Sequence, residues 1–127
     1  MGSWYSRPMM HVADLRAAVA FYVDRMGFRE VWSFDDEAGT GFVSQVERDG
    51  AEIILCRQWP DKVGKGMLFI ALTAADWQAL PGALEDKGVP FTHGWWGYRT
   101  LIVADPDGNE LYFPDPEDAG GGAGQQA

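Results

Sequence analysis

The chain has 127 residues, of which 46% are apolar, and this is enough for one compact domain with a hydrophobic core. Its net charge of −9 argues against binding to nucleic acid or to an anionic membrane, because both demand basic patches. The excess of acid is concentrated after residue 65, where two Lys or Arg residues stand against nine Asp or Glu residues. This balance is compatible with a cationic ligand, and ordinary solubility explains it equally well.

The sequence predicts neither a membrane span nor secretion. No run of about 18 apolar residues occurs, and the N-terminus lacks a charged-then-apolar signal pattern. The single cysteine, Cys56, cannot form an internal disulfide and fits a reducing cytoplasm. The glycine-rich residues 115–127 predict a mobile tail. We therefore expect a cytoplasmic protein in which residues 115–127 take no part in function.

The first half of the chain predicts one strand, one helix and three further strands. The apolar run Pro8–Val12 is followed by Asp14, after which apolar residues recur at helical spacing as far as Gly27. An Asp at a helix start accepts free backbone N–H groups, and a Gly at the end adopts the left-handed conformation that terminates a helix. The further strands are predicted at Arg29–Phe34, Gly41–Glu47 and Ala51–Leu55.

The second half repeats this order. Met67–Leu72 is the matching strand, and Asp76 is predicted to open a helix over Trp77–Lys87 that Gly88 closes. Pro81 lies late in this helical pattern and predicts a kink or a later helix start. The further strands are predicted at Pro90–His93, at Thr100–Ala104 and in the apolar run that ends at Phe113.

A repeated turn supports the same alignment of the two halves. The two copies are Asp49-Gly50-Ala51-Glu52 and Asp107-Gly108-Asn109-Glu110. An Asp-Gly pair supplies the positive φ angles that a tight turn between antiparallel strands needs, so the copies predict equivalent hairpins. The sequence thus predicts an α+β fold, in which two βαβββ modules (residues 5–57 and 66–114) form a curved mixed sheet within a single domain.

Two groups of segments carry a resemblance to a known family. They are the run Pro8–Leu15 through Phe21-Tyr22 to Met26-Gly27-Phe28, and the run Gly94–Arg99 through Asp105–Asn109. With them the chain resembles the vicinal oxygen chelate superfamily, which includes glyoxalase I, extradiol dioxygenases, fosfomycin resistance enzymes and bleomycin resistance proteins. The resemblance covers roughly residues 5–114, and the W-G-x-R segment that begins at Trp96 is most similar to the bleomycin resistance branch.

The resemblance implies where a divalent metal would be held. The enzymes of the superfamily use four His, Glu or Gln side chains on inward-facing strand positions. The matching positions here are Arg7, Ile54, Phe69 and Tyr112. Such residues cannot chelate a catalytic divalent ion, so we expect no metal and no cofactor.

A displaced metal site stays open as an alternative. By strand alternation Glu52 shares a face with Ile54, Glu110 shares one with Tyr112, and His11 shares one with Arg7. The set His11, Glu52 and Glu110 is therefore conceivable as ligands, although acidic residues beside turns more often lie in water at the sheet rim. His93, near a strand end, is interpreted as a rim or hydrogen-bonding residue.

Aromatic residues dominate the candidate binding site. Trp95, Trp96 and Tyr98 are too closely spaced for all of them to lie in the core of one strand, and large rings suit stacking on a planar ligand. An equally open alternative is that one tryptophan fills the core and the other packs at a dimer contact. The resemblance implies stacking roles for Phe42 and Trp96. The full set of predicted ligand-binding residues is Phe42, Trp96, Trp95, Tyr98, Trp32, Phe69, Glu110, Tyr112 and His11.

Within this set, Trp32 is expected at the mouth of the cavity. Glu110 and Tyr112 are expected to face its interior, where a carboxylate beside a phenol can hydrogen-bond a basic ligand. The resemblance then implies a metal-free protein that sequesters an aromatic, cationic antibiotic, with two chains forming a homodimer.

Two other classes of function remain open. One is a lyase, isomerase or dioxygenase of the same superfamily, with a displaced metal or with acid/base chemistry by Glu110, Tyr112 and His11. The other is a partner-binding domain whose tryptophans form the interaction surface. The sequence has no nucleophile elbow, P-loop or dinucleotide fingerprint, so it predicts no catalytic residue.

Overall fold

The computed structural model describes residues 4–95 and 97–118, and in these ranges two βαβββ modules each build a four-stranded mixed sheet. The predicted arrangement of two such modules is therefore confirmed. By its contacts the chain divides into one unit of Met1–Gly66 with Asp105–Asn109 and a second unit of Met67–Ala104 with Glu110–Ala127. No helix among the described residues is both long enough and apolar enough to cross a membrane.

The elements of the first unit follow the predicted order. They are β1 (Met9–His11), α1 (Leu15–Ala20), β2 (Arg29–Asp35), β3 (Gly41–Arg48) and β4 (Ala51–Cys56). The strands lie in the order β1-β4-β3-β2, with β1 parallel to β4 and the other neighbours antiparallel. The Asp14 carboxylate caps α1 by accepting the Ala17 N–H at 3.1 Å, as predicted. The helix continues as a π-helical turn over Phe21–Arg25, and Gly27 follows with a φ of +78°.

Alternation along the strands gives the first sheet two distinct faces. Met10, Ile53, Leu55 and Val46 lie on one face and are buried, and α1 packs against β3 and β4. The opposite face is half-exposed, and the strand register aligns one row of side chains across it. That row is Met9, Ile54, Gln45 and Trp32. We call this side the first half-exposed face.

The second unit contains the remaining elements. They are β5 (Met67–Phe69), α2 (Ala74–Asp86), β6 (Thr92–Trp95), β7 (Arg99–Ala104) and β8 (Glu110–Pro114). The strand order is β5-β8-β7-β6, again with one parallel pair, β5 and β8. Strand β6 begins two residues later than predicted, and β5 ends three residues earlier.

The predicted start of α2 is wrong. The helix begins at Ala74 because the Thr73 hydroxyl, and not the Asp76 carboxylate, is the capping group, and it accepts the Asp76 N–H at 3.2 Å. Asp76 lies in the first turn, where a negative charge also suits the positive end of the helix dipole. Pro81 is therefore inside the helix and does not mark a later start. Gly88, with a φ of +70°, follows the helix as predicted.

The second sheet has a half-exposed face of its own. Leu101, Val103, Leu111 and Phe113 alternate onto the buried side. The register aligns two rows on the other side, which we call the second half-exposed face. The rows are Phe69, Tyr112, Ile102 and Thr92, and beside them Met67, Glu110 and Ala104.

The two Asp-Gly turns are not equivalent, and the prediction that they form matching hairpins is wrong. Arg48 pairs with Ala51, so Asp49 and Gly50 form a two-residue turn with φ angles of +50° and +93°. Across the second connection Ala104 pairs with Glu110, which leaves a loop over residues 105–109. The loop is longer because the side chain of its first residue folds back on it.

The folded-back residue is Asp105, whose Oδ1 accepts the N–H groups of Asp107 and Asn109 at 2.9 Å each. Asn109 has no exposed surface, and its Oδ1 accepts the Gly66 N–H at 2.8 Å. Its Nδ2 donates to the His11 carbonyl and to Asp105 Oδ2, both at 3.0 Å. We call residues Asp105, Asp107 and Asn109 the polar latch of the first unit.

Two further bonds tie the latch to the start of the chain. The Tyr22 hydroxyl donates to Asp105 Oδ2 at 3.0 Å, and the Ala13 N–H donates to Asp107 Oδ1 at 3.1 Å. Burial, followed by the Asp105 charge, raises the pKa of Tyr22 far above its ordinary value, so its hydroxyl keeps its proton and remains a donor.

Candidate ligand-binding site

A stacked aromatic pair lies on the second half-exposed face. Phe69 and Tyr112 are direct neighbours in the parallel register of β5 and β8, so their side chains project side by side. Their ring centres are 5.0 Å apart and the ring planes differ by 10°. Phe69 is 39% exposed, and Met67 in the adjacent row is 58% exposed. The pair therefore presents apolar, polarisable surface that a planar molecule can contact.

A carboxylate adjoins this pair. Glu110 and Tyr112 are two residues apart on β8 and share a face, and the Tyr112 hydroxyl donates to Glu110 Oε1 at 2.7 Å. This hydrogen bond and, to a lesser degree, burial raise the pKa of Tyr112 above its ordinary value. The phenol thus stays neutral and holds the carboxylate in place beside the rings. A group of this kind can accept hydrogen bonds from a cation that lies against the aromatic pair.

The first half-exposed face carries a polar network around one amide side chain. Gln45 is only 5% exposed, and its Oε1 accepts from Arg7 Nη1 and from Trp32 Nε1, both at 2.9 Å. Its Nε2 donates to Glu52 Oε1 at 3.2 Å. The Trp32 ring, fixed by this bond, lies 5.9 Å from the ring of Phe34 at an angle of 58°. Trp32 therefore has a defined orientation on this face, as a stacking residue needs.

His11 lies two residues beyond Met9 on β1, in the next row of side chains on the first half-exposed face. It pairs with Cys56 in the register, and its ring meets Trp59 edge to face with a centre-to-centre distance of 5.4 Å. Lys62 Nζ lies 5.0 Å from the centre of the Trp59 ring. Among the described residues no group bonds to His11 Nδ1, which is buried.

The residues at the implied metal positions do not fit a divalent ion. Arg7 bonds to the Gln45 amide, Tyr112 bonds to Glu110, and Ile54 and Phe69 offer no donor atom. The register places Met9, and not Arg7, opposite Ile54. Within residues 4–95 and 97–118, no three His, Cys, Asp or Glu side chains gather in a group that would hold a metal ion.

Other predicted site residues lie apart from these clusters. Phe42 lies at an irregularity of the β2–β3 pairing, and the Arg57 guanidinium carbon is 5.5 Å from the centre of its ring. Arg57 is itself held by an ion pair with Asp36. Because Arg57 already covers one side of the ring, less of Phe42 is open to a ligand.

The aromatic residues at and after the end of β6 lie apart from the stacked pair. Trp95 is 71% exposed. It lies two residues after His93 and shares its face of the sheet, and His93 pairs with the buried Leu101. Trp95 therefore projects to the side of the sheet opposite Tyr112. Tyr98 is half-buried between β6 and β7. Trp96 lies outside the described residues.

Sequence reasoning missed two residues of these arrangements. Gln45 was not singled out, because a glutamine in a strand gives no periodic signal, although alternation does place it beside Ile54 and Trp32. Trp59 was missed because it lies outside every predicted element, directly before a short 3-10 helix over Pro60–Lys62.

The comparison with family profiles matches residues 5–113 to the Glyoxalase/Bleomycin resistance protein/Dioxygenase superfamily. The chain belongs to this superfamily, and the resemblance drawn from the sequence is confirmed. A comparison of the sequence with curated proteins gave no match.

Solved structures share the fold. An antibiotic binding protein, TnmS3, from Streptomyces sp. CB03234 is similar with a TM-score of 0.70 and 22% identity, over 90% of this chain and 97% of that one. The bleomycin-binding protein from Streptomyces verticillus, solved with copper(II)-bleomycin, has a TM-score of 0.67 and 19% identity, over 90% and 98%. A mutant of the fosfomycin resistance protein FosX from Listeria monocytogenes, solved with Mn(II), has a TM-score of 0.65 and 16% identity, over 91% of each chain. At these identities the likeness concerns the fold.

Proposed function

We propose that the protein is a metal-free binding protein that sequesters an aromatic, cationic antibiotic without altering it. The observation that carries this proposal is the stacked pair of Phe69 and Tyr112 with the Glu110 carboxylate bonded beside it. Flat apolar area next to a hydrogen-bond acceptor of negative charge is what a planar cation requires.

The energies expected of these contacts favour a cationic ligand over a neutral one. Stacking of a ligand ring on the exposed Phe69 is worth about 0.5–1.5 kcal/mol beyond the apolar area that it buries. A cation over an aromatic face adds about 0.5–2 kcal/mol, and a charge-assisted hydrogen bond to Glu110 adds about 1.5–3 kcal/mol. The carboxylate contact therefore decides between a cationic and a neutral ligand.

Three further observations support the proposal. The side chains at the implied metal positions are those of Arg, Ile, Phe and Tyr. The chain after residue 65 is strongly acidic, which favours the approach of a cation. Two proteins of similar fold are described as antibiotic-binding and bleomycin-binding. By the same resemblance we propose a cytoplasmic homodimer whose chains share the binding clefts.

The direct test is a titration of the purified protein with bleomycin and with cationic and neutral aromatic DNA-damaging drugs, followed by tryptophan fluorescence and calorimetry. Glu110→Gln should weaken binding of the cationic compounds by about tenfold or more, because it removes the charge and keeps the shape. Affinity for neutral compounds should change by less than about threefold. No response from any compound would refute sequestration.

A control variant is Glu117→Gln, which removes an exposed carboxylate that lies outside the second half-exposed face. It should leave the affinity for cationic compounds at the wild-type value. Metal analysis of protein purified without chelators provides a separate check, since stoichiometric Ni, Zn, Mn or Fe would contradict a metal-free site.

The bond between Tyr112 and Glu110 also favours a second candidate, an enzyme of the same superfamily that uses this pair for acid/base chemistry. Mass spectrometry of each bound drug after long incubation separates the two. Recovery of unchanged drug supports sequestration, and turnover that Tyr112→Phe abolishes supports the enzyme.

A further inference from the structure

The Gln45 amide has a fixed orientation. Its Oε1 accepts two hydrogen bonds, from Arg7 and Trp32, and its Nε2 donates one, to Glu52. A rotation that exchanged the two atoms would point Nε2 at two donors and Oε1 at a carboxylate, so only one orientation satisfies all three partners. Because Gln45 is nearly fully buried, this choice fixes the side chains that contact it.

Arg7 and Glu52 bond to the same amide and do not pair with each other. In residues 4–95 and 97–118 the ion pairs join other charged residues, and neither Arg7 nor Glu52 takes part in one. Arg7 is exposed and Glu52 is half-exposed. The guanidinium has five N–H groups and the carboxylate has a second oxygen, so each retains capacity for another hydrogen bond. The face therefore presents a donor and an acceptor on the two sides of Gln45.

The Trp32 ring adjoins this donor and acceptor, since its N–H bonds to the same Gln45 oxygen that Arg7 contacts. Phe34, which is 67% exposed, extends the aromatic surface. A molecule that uses all of these groups needs a flat ring and, attached to it, one acceptor next to one donor.

We propose that Arg7, Glu52 and Trp32, positioned by Gln45, form a subsite for a planar ring that bears a neutral carboxamide. The carbonyl oxygen accepts from Arg7, the amide N–H donates to Glu52, and the ring lies on Trp32. A carboxylate in this place is repelled by Glu52, and an amidinium is repelled by Arg7. The subsite deepens the proposed function, because it names a chemical group of a ligand, and it rests on that function in so far as the protein binds a small aromatic molecule.

Three probes with one ring and different head groups test the subsite, namely benzamide, benzoate and benzamidinium. The readout is the ¹H–¹⁵N correlation spectrum, in which the Trp32 indole N–H is identified by its loss in Trp32→Phe. Benzamide should shift this signal and the backbone signals of Gln45 and Glu52, with an affinity at least about fivefold above that of the other two probes. Equal or weaker binding of benzamide there would overturn the subsite.

Glu52→Gln distinguishes a direct contact between Glu52 and the ligand from a purely structural role of Glu52. The new amide keeps an oxygen for the Gln45 N–H and directs its NH₂ group outward, beside Arg7. The face then offers two donors, so the preference should invert from benzamide to benzoate. An unchanged preference would refute the assignment of Glu52.

Gln45→Met retains the length of the side chain and removes all three bonds, and it should lower benzamide affinity about tenfold or more. The matched control is Glu47→Gln. Glu47 pairs with Glu52 in the register but forms an ion pair with Arg29, so benzamide affinity should be unchanged. A loss in Glu47→Gln equal to that in Gln45→Met would attribute the effect to the general charge of the sheet and overturn the subsite.

The same spectra keep the two proposals separate. Benzamidinium should shift the backbone signals of Phe69 and Tyr112, and Glu110→Gln should abolish that shift. If this response is absent while benzamide still binds at Trp32, the proposed cation site fails and the carboxamide subsite stands. If the reverse holds, the subsite alone fails.

Discussion

The two connections that carry an Asp-Gly pair stabilise the molecule in different ways. The turn at Asp49-Gly50 is local, because its neighbours Arg48 and Ala51 pair directly. Among the described residues, apart from its chain neighbours, no atom lies within 4 Å of a Cβ added at Gly50. The connection at Asp107-Gly108 is part of a buried network of side chains that reaches residues far away in sequence. One residue accounts for much of this difference. Asn109 in the second copy stands where the first copy has Ala51.

The largest effect is expected from Asn109→Ala. The substitution leaves the Gly66 N–H without its partner in a part-buried site and removes the bonds to His11 and Asp105. We expect a loss of about 3 kcal/mol in the free energy of unfolding, measured by urea denaturation. The reciprocal control is Ala51→Asn, which should change the free energy by less than about 0.5 kcal/mol. Similar losses of free energy in both variants would show that the two connections contribute equally to stability.

A smaller effect is expected from Tyr22→Phe, which removes the hydroxyl that donates to the buried Asp105 carboxylate. We expect a loss of about 1.5–2 kcal/mol, because a charged acceptor in a buried place loses a donor. Tyr112→Phe is the matched control, since it also removes a phenol bond to a carboxylate but on a half-exposed face. Its cost should be below about 1 kcal/mol. If Tyr112→Phe loses more free energy of unfolding than Tyr22→Phe, burial does not determine how much the Tyr22 hydrogen bond contributes to stability.

The smallest effect concerns the charge of the latch. Burial, and then the charges of Asp105 and Asp14, raise the pKa of Asp107, while the Ala13 N–H opposes them. Since its pKa is higher in the folded than in the unfolded protein, the wild type loses stability as the pH rises from about 4 through the folded pKa. Asp107→Asn lacks this loss and its amide oxygen still accepts from Ala13.

Asp107→Asn should therefore be more stable than the wild type at pH 7, and the difference should vanish at about pH 3. Because Asp107 is only partly buried, the gain should be a few tenths of a kcal/mol. Denaturation at pH 7, 5 and 3 measures it. In the first turn Asp49→Asn is the control, because Asn tolerates a φ of +50° as well as Asp does, and its free energy at pH 7 should match the wild type. A gain that persists at pH 3 would argue against an origin in the Asp107 charge.

Much of the fold was predictable because its signals are local. Strand alternation and the cap at Asp14 each depend on residues a few positions apart. The start of α2 was not predictable to the residue, since Thr73 and Asp76 are both good caps and the choice depends on the tertiary fold. The second connection was misread because Asp-Gly dominates the pattern. Whether the Asp105 side chain folds back on the loop depends on partners such as Tyr22, 83 positions away.

The candidate site was predictable in part for the same reason. Alternation along β8 places Glu110 and Tyr112 on one face, and the sequence therefore predicted them as neighbours in the site. The hydrogen bond between them was not predicted, because residue type alone suggested only that both could bond to a basic ligand. The Gln45 network was not predictable, because it joins residues from three strands and from the segment before β1, and the sequence does not reveal the register of these strands. Trp95 illustrates the same limit, since the direction of its side chain follows from the pairing of β6 with β7.

The position of the loop over residues 105–109 has a consequence for synthesis of the chain. By its contacts this loop belongs to the unit formed by the first 66 residues, yet it is translated about forty residues after them. While the chain leaves the ribosome, the nascent first unit lacks the side chain that receives the Gly66 N–H. The first unit is complete only when Asn109 bonds to the His11 carbonyl, 98 positions earlier in the chain. Because contacts between distant residues form slowly, we expect this step to come late in the folding of the unit. We expect a fragment that ends at residue 66 to lack these hydrogen bonds, and a short peptide that contains residues 105–109 to supply them.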